Sequence, residues 1–290
     1  MNPLTRISEV KRLMEKHGVA FQKQFGQNFL ISEQVPASIA EQCGAEEEDG
    51  ILEIGPGVGT LTVELARRYR KVVCIEIDRG LIPILAETLA DYDNVTVINE
   101  DVMKIDLPAL LAEHFAGMRV TVCANLPYYI TTPILMALME APCRFEHITV
   151  MVQKEVAQRL CANPGEEQYG SITASVNWYG EVKRLFAVPA GCFLPAPKVD
   201  SAVVRLSLYP EPRCPVTDVE MLRRVIKGAF AQRRKTLLNS MASVFPEYGK
   251  PRLSALIERA GYAPTVRGET LGICDFAAIA NVFDAESREA

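Results

Sequence analysis

The chain of 290 residues carries 49% apolar and 23% charged residues, the balance of an ordinary globular protein, and its length suits one large and one small domain. No apolar run approaches the ~20 residues of a membrane helix, and charged residues near the N-terminus replace the apolar core of a signal segment, so we expect a cytoplasmic protein. The net charge of −5 argues against a protein that simply coats nucleic acid.

In chain order, the first predicted elements are two helices separated by a loop. Thr5 opens a short helix that His17-Gly18 closes, residues 23–30 have no assignable period and are interpreted as an ordered loop, and residues 32–43 have a helical pattern. From residue 50, apolar runs of strand length alternate with helical segments such as 59–69 and 79–89. This alternation indicates an α/β fold, a parallel sheet covered by helices on both faces. The predicted strands are 51–54, 72–75, 95–99, 120–124 and 148–153.

The last third of the chain changes character. Residues 171–178 have a helical pattern, and residues 182–186 and 201–208 are expected as late strands at an antiparallel edge of the same sheet. Three prolines in residues 210–215 then predict a linker. Thr217, with Glu220 three residues later, indicates a capping box at the start of a new helix. The expected domains are therefore an α/β domain of residues 1–209 and a helical domain of residues 210–290.

The cysteine and histidine residues predict no metal site. The eight cysteines include no pair at CxxC spacing, and the three histidines are isolated from one another. Several cysteines lie inside apolar runs, as in VVCIEI and VTVCAN, so we expect small buried side chains in a reducing compartment.

A glycine-rich turn follows the first predicted strand, in the sequence EIGPGVG of residues 53–59. Gly55 and Gly57 permit a tight turn and the close approach of a ligand to the main chain, at the strand end where open α/β sheets bind ligands. A dinucleotide-binding turn has the spacing GxGxxG, and Thr60 stands at that third position, which favours S-adenosylmethionine over NAD. A purely structural turn and a dinucleotide site remain alternatives.

Acidic residues end the next two predicted strands. Glu76 lies 21 residues after Gly55, where a carboxylate can accept hydrogen bonds from both ribose hydroxyls of either cofactor. Asp101 could accept the adenine amine of the cofactor, although an aspartate at a loop start is equally typical of a cap. Both are candidates for cofactor binding, and a solvated acid is the alternative for Glu76.

The fourth predicted strand leads into Asn125-Leu126-Pro127-Tyr128, whose chemistry suits methyl transfer to the exocyclic amine of adenine. Because the lone pair of that amine is delocalised, two acceptors are needed to hold its hydrogens and aim the lone pair at the methyl carbon. The predicted acceptors are the Asn125 side-chain oxygen and a main-chain carbonyl next to Pro127, which stiffens the turn. Tyr128 is predicted to stack on the base, and a structural turn is the alternative.

Phe193 begins the segment FLPAPKVDS, in which two prolines predict a rigid loop. A base must leave its stack before an enzyme can modify it, and Phe193 is predicted to cover the second face of such a base. The alternative is an aromatic residue of the core.

A basic segment lies in the helical part of the chain. Residues 222–237 hold six basic side chains and no acidic one, and phosphate contact is predicted for them, with a solvated helical face as the alternative. The six residues are Arg223, Arg224, Lys227, Arg233, Arg234 and Lys235.

These motifs, in this order, resemble the ribosomal RNA adenine N6-dimethyltransferases, most closely the small-subunit branch whose loss confers kasugamycin resistance. The resemblance rests on residues 24–30, 55–62, 125–128, 193–206 and 230–237. It implies a Rossmann-like S-adenosylmethionine-binding domain with a small helical C-terminal domain. It also implies dimethylation of two adjacent adenosines in a hairpin near the 3′ end of small-subunit ribosomal RNA, within an immature subunit. Cofactor contacts are implied for Asn28 and Leu30, besides Gly55, Glu76, Asp101 and Asn125.

Three other functions stay open. One is the same chemistry on large-subunit RNA, as in the related macrolide-resistance enzymes; another is a non-enzymatic assembly factor that binds RNA; a nicotinamide oxidoreductase is a remote third. The sequence of residues 193–204 favours small-subunit RNA as the substrate, and the intact glycine turn favours an enzyme.

Tyr129 stands where many relatives carry Asn. A monomer is expected because no heptad pattern is visible.

Overall fold

A computed structural model of the chain describes residues 2–20 and 27–289. Among these, residues up to 157 and residues 183–208 form one compact unit, the α/β unit, and residues 158–182 and from 209 onward form a second, the helical unit. The sequence placed residues 158–182 in the first domain. In the structure Tyr169, Ala174 and Trp178 of this segment belong to the apolar core of the C-terminal helices, which explains the difference.

The described ranges contain nine strands and twelve α-helices. The strands are β1 (Phe29–Leu30), β2 (Gly50–Ile54), β3 (Lys71–Glu76), β4 (Val95–Asn99), β5 (Val120–Asn125), β6 (His147–Gln153), β7 (Gly180–Val188), β8 (Phe193–Leu194) and β9 (Ser201–Leu208). The helices are α1 (Ile7–Lys16), α2 (Gln34–Gln42), α3 (Thr60–Ala66), α4 (Ile82–Thr88), α5 (Leu107–His114), α6 (Thr131–Glu140), α7 (Lys154–Leu160), α8 (Ser171–Tyr179), α9 (Val219–Phe230), α10 (Leu237–Met241), α11 (Gly249–Arg259) and α12 (Ile273–Glu289). None of the helices described is long and apolar enough to cross a bilayer.

The large sheet has the strand order β4-β3-β2-β5-β6-β9-β7. Strands β2 to β6 are parallel, and β9 runs antiparallel to β6, which confirms the predicted parallel strands and the antiparallel position of 201–208. The chain moves outward from β2 through β3 to β4 and then returns to β5 on the other side of β2. This reversal opens a crevice at the carboxyl ends of β2 and β5, the position where such sheets bind ligands.

A second, two-stranded sheet was not predicted. Strands β1 and β8 pair antiparallel, with Phe29 opposite Leu194 and Leu30 opposite Phe193. The interpretation of residues 23–30 as a loop is therefore wrong for residues 29–30, because the pairing partner lies more than 160 residues away and leaves no local pattern. Residues 23–26 lie outside the described part of the chain.

Two predicted helix starts need correction. The N-cap of α9 is Asp218, whose carboxylate accepts the Glu220 N–H at 2.8 Å, and not Thr217, which instead binds the Asn281 side chain. Near the N-terminus a 3₁₀ turn occupies residues 3–5, and α1 begins only at Ile7.

The helical unit also corrects the expectation for two cysteines. Cys214 and Cys274 form a disulfide, with their Cα atoms 5.5 Å apart, because folding brings the linker beside the start of α12. Cys74 and Cys123 are free and buried, as their apolar runs predicted, and Cys43 is also free and buried.

Candidate functional site

The α/β unit has a cleft at the carboxyl ends of its parallel strands. The cleft spans about 1040 Å³ when the solvent at its open mouth is included. Its walls include every residue predicted to bind the cofactor and, besides Asn125, two more of the predicted catalytic residues. These are Asn28, Leu30, Gly55, Gly57, Glu76, Asp101 and Asn125, with Pro127 and Tyr128.

The glycine turn joins β2 to α3 along one wall of this cleft. Gly55 and Gly57 have φ values of +70° and +62°, a left-handed conformation that other residues adopt only with strain. A Cβ atom at Gly57 would lie 3.0 Å from the ring of Phe29, so packing also requires glycine there. At Gly55 the nearest atom to such a Cβ is the Asn125 carbonyl oxygen at 4.0 Å, so this stretch of main chain stays open to a ligand.

Glu76 connects the turn to the end of β3. Its side chain is only 5% exposed, and its two carboxylate oxygens accept the main-chain N–H groups of Asp78 at 2.8 Å and Gly57 at 3.3 Å. Burial raises the pKa of Glu76 to about 7, against these hydrogen bonds, which lower it. A carboxylate has about four acceptor positions, so capacity remains for two ribose hydroxyls.

Asp101 has a structural partner in addition to its place on the cleft wall. Its Oδ1 accepts the Met103 N–H at 3.0 Å, and its Oδ2 lies 3.8 Å from the Lys104 ammonium group. One carboxylate oxygen therefore caps the turn after β4, as the alternative interpretation proposed. The contact with the adenine of a cofactor stays a prediction.

Asn125, the last residue of β5, is oriented by the segment before β1. Its Nδ2 donates a hydrogen bond to the Asn28 carbonyl oxygen at 3.0 Å. Oδ1 accepts no hydrogen bond from any residue that the structure describes, so the acceptor end of the amide remains available on a cleft-lining side chain.

A β-turn of residues 127–130 follows β5. The Pro127 carbonyl oxygen accepts the Ile130 N–H at 3.2 Å and the Thr131 hydroxyl at 3.1 Å. Both of its lone pairs are therefore used, which leaves the neighbouring main-chain carbonyls, among them that of the cleft-lining Leu126, as the candidate acceptors.

The Tyr128 ring is held by a partner that the sequence did not indicate. Its hydroxyl lies 2.7 Å from the hydroxyl of Ser201, a fully buried residue at the start of β9. The two residues are 73 positions apart, so only the pairing of β9 with β6 brings them together. Partial burial raises the pKa of Tyr128 above its usual value.

The structure places Phe193 elsewhere than predicted. Its side chain is 2% exposed and packs with Leu30 and Val188 in the core beneath the β1–β8 pair, and it does not line the cleft. Pairing with Leu30 turns this residue inward, so the expected contact with a base is replaced by a core position.

The six basic residues lie in the helical unit and fall into two groups. Arg223 pairs with Glu220, Arg224 pairs with Glu247 and lies over the Phe245 ring, and Arg233 pairs with Glu269. The other three are exposed and form no ion pair within the described chain. They are Lys227, Arg234 and Lys235.

Residues 2–20 and 27–289 contain no group of three or more His, Cys, Asp or Glu side chains arranged to hold a metal ion.

Comparison with known proteins identifies the family of the chain. The family model described as ribosomal RNA adenine dimethylase matches residues 18–276. Ribosomal RNA small subunit methyltransferase A of Macrococcus caseolyticus is 44% identical over 97% of this chain and 96% of its own, and that of Bacillus mycoides is 45% identical over 97% of each. Among solved structures, a dimethyladenosine transferase from Plasmodium falciparum superposes with a TM-score of 0.76 at 25% identity, covering 89% of this chain and 98% of its own. The 23S rRNA methyltransferase ErmE gives a TM-score of 0.67 at 28% identity over 89% and 100%.

Proposed function

The chain belongs to the ribosomal RNA adenine dimethylase family, and from this premise we propose that it dimethylates the N6 amines of two adjacent adenosines near the 3′ end of small-subunit ribosomal RNA. It is a methyltransferase with S-adenosylmethionine as methyl donor. Small-subunit RNA as the substrate is supported by the relatives named ribosomal RNA small subunit methyltransferase A, which are 44–45% identical over nearly the whole chain. Methyl transfer to an amine is supported by the hydrogen bond from Asn125 to Asn28, which leaves the Asn125 side-chain oxygen free to accept a hydrogen of that amine.

The cleft residues suit the cofactor that the family implies. S-adenosylmethionine, when bound, supplies a methyl group activated by its positively charged sulfur. The buried Glu76 carboxylate offers acceptors for a ribose diol, and Gly55 leaves the main chain of the turn open to a ligand. We assign Asn28, Leu30, Gly57 and Asp101 to the same binding surface because all line this cleft.

The target amine has two hydrogens, and the chain offers two acceptors for them. Asn125 Oδ1 accepts one, since Nδ2 is already used on Asn28. The Leu126 carbonyl accepts the other, since that of Pro127 is occupied by Ile130 and Thr131. Holding both hydrogens aims the nitrogen lone pair in one direction, which is catalysis by positioning.

Tyr128 completes the pocket for the base. Its hydroxyl is fixed on Ser201, so the ring presents a face at a constant angle, and stacking on a base is worth about 1–3 kcal/mol. Asparagine cannot take a proton, and no strong base is required here, because the methylated amine is acidic enough to lose its proton to water.

The substrate we propose is a partly assembled small subunit in the cytoplasm, bound by a monomer. The exposed side chains of Lys227, Arg234 and Lys235 in the helical unit are proposed to contact its phosphates, since unpaired surface cations release counterions when they bind RNA. We propose that the α/β unit is the catalytic domain and that the helical unit, with residues 158–182 included, is the RNA-contacting domain.

The test uses pure protein, labelled S-adenosylmethionine and small subunits that lack the modification, followed by digestion of the RNA and mass spectrometry. We expect N6,N6-dimethyladenosine at two adjacent positions near the 3′ end. Large subunits are the matched control, because the likeness to ErmE makes them the alternative substrate. Label in large-subunit RNA alone would overturn the choice of RNA. Cofactor binding without transfer to either particle would favour an assembly factor.

A further inference from the structure

Exposed apolar side chains lie along the carboxyl edge of the large sheet, and two of them, Ile77 and Tyr129, line the cleft. Among the described residues, five large apolar side chains are highly exposed. Four of these lie at the carboxyl edge of the parallel strands. Ile77 follows β3, Met103 follows β4, Tyr129 follows β5 and Val199 precedes the antiparallel β9. Only Ile7, on α1, lies elsewhere. Single exposed apolar residues are ordinary, but their concentration on one rim indicates a contact surface.

Tyr129 is the most exposed member of this rim, at 63%. It occupies one of the two central positions of the turn of residues 127–130, and Tyr128 occupies the other. The turn therefore presents two aromatic rings in succession. Tyr128 is half-buried and bonded to Ser201, whereas the Tyr129 hydroxyl has no partner within the described residues. The ring lines the cleft, with more than half of its surface exposed.

We propose that Tyr129 is a second base platform, which stacks on the unpaired nucleobase adjoining the target adenine. The proposal rests on the proposed function, since it requires an RNA strand with its target base in the cleft. When a base leaves its stack, the face of its neighbour loses its covering partner. An exposed tyrosine beside the ring that holds the target is placed to cover that face.

The platform also suits a substrate of two adjacent adenosines. Because the RNA strand has one direction through the site, the platform meets the second adenosine when one of the pair is in the pocket, and the nucleotide beyond the pair when the other is. In the first case the second adenosine is either unmodified or already dimethylated. Stacking uses the face of the base and no N6 hydrogen, so it tolerates both states. A site that read the neighbour by a hydrogen bond from its amine would lose the contact after dimethylation.

Two variants and one control test the platform on small subunits that lack the modification. Tyr129→Ala removes the ring, and we expect kcat/KM for the particle to fall roughly 5- to 150-fold, the loss that corresponds to one stacked base. Tyr129→Phe keeps the ring and is expected to restore most of the lost kcat/KM. Ile7→Ala, at an exposed apolar residue away from the rim, is the control. Tyr129 also lines the cleft, so cofactor affinity is measured for all three variants. We expect it to be unchanged, which separates RNA contact from damage to the fold, whereas a weaker affinity in Tyr129→Ala would assign the ring to the cofactor instead.

A fluorescence measurement locates the contact. Two particles are assembled, each with 2-aminopurine in place of one of the two adenosines. In the particle whose label lies on the Tyr129 side of the target, stacking on Tyr129 should quench the emission with wild-type protein and Tyr129→Phe, but not with Tyr129→Ala. If wild-type protein methylates the particle while Tyr129→Ala matches it in kcat/KM and in quenching, the platform is wrong. If wild-type protein methylates no particle, the proposed function is wrong, and the role proposed for Tyr129 is rejected with it.

Discussion

The side-chain amide of Asn125 donates a hydrogen bond to the main-chain carbonyl of Asn28, with Nδ2 and O 3.0 Å apart across 97 positions of sequence. An amide has one donor end and one acceptor end, so this bond determines which end is left for a ligand. Here it leaves the acceptor, and the same bond ties the end of β5 to the segment that enters β1. The proposed pocket for the target amine and a wall of the proposed cofactor cleft are thereby coupled.

Replacing Asn125 with Ala should lower kcat by about 10²–10³, the usual loss on removal of one preorganised polar contact to the reacting group. It should also weaken cofactor binding, because Asn28 loses its partner. Single-turnover methylation measures the first effect and equilibrium binding of S-adenosylhomocysteine the second. Asn94→Ala is the matched control: its amide donates to the Ala66 and Tyr69 carbonyls at 2.8 and 2.9 Å, so stability should fall while kcat is retained. A kcat for Asn125→Ala within tenfold of wild type would contradict the positioning mechanism.

Ser201 and Tyr128 should act as one unit. Removing either hydroxyl, by Ser201→Ala or Tyr128→Phe, should lower kcat/KM roughly 2- to 13-fold, the range of one net hydrogen bond. The double variant should be no worse than either single one, because both remove the same bond. Thr149→Val removes a buried hydroxyl that bonds the Cys43 carbonyl instead, and serves as the control. Additive losses in the double variant would show that the two hydroxyls act separately.

Much of the α/β unit could be predicted because its information is local. Buried parallel strands are continuous apolar runs, and the glycine turn needs particular residues at particular positions. Glu76 was placed correctly on the cleft wall because it ends a strand next to β2, and strand ends meet at one edge of the sheet.

What could not be predicted depends on partners distant in sequence. Ser201 is adjacent to Tyr128 only through the pairing of β9 with β6, and Phe193 turns inward only through the β1–β8 pair. The basic segment shows the same limit, since Arg224 and Arg233 are paired with acids 23 and 36 positions away. The sequence shows which residues are charged, but only the fold shows whether a charged side chain already forms an ion pair within the protein.

Cofactor affinity should depend on pH through Glu76. Burial raises the pKa of this carboxyl to about 7, and ribose hydroxyls bind best to the ionised form. The dissociation constant should therefore rise roughly tenfold between pH 8 and pH 6, as the ionised fraction falls. The raised pKa also favours folding of the free protein below pH 4.5, and this contribution is lost as the pH rises through 7.

Two glutamine variants identify the titrating group. Glu76→Gln should bind the cofactor weakly at pH 8 and with little dependence on pH, as titration calorimetry would measure. Glu53, also in the cleft wall and also with a pKa raised to about 7 by burial, is the control. If Glu53→Gln abolishes the pH dependence and Glu76→Gln retains it, the assignment to Glu76 is wrong.

The exposed cations of the helical unit should account for the salt dependence of particle binding. Lys227, Arg234 and Lys235 form no ion pair within the described chain, so their replacement by Ala should reduce the slope of log affinity against log salt by roughly two to three in total. Arg224→Ala should act differently and destabilise the unit, because its guanidinium lies 4.2 Å from the Phe245 ring centre and pairs with Glu247. Lys11→Ala, an exposed lysine of α1, controls for net charge. An unchanged slope in the triple variant would remove this surface from the RNA interface, whereas a lower slope with unchanged kcat would assign it to docking alone.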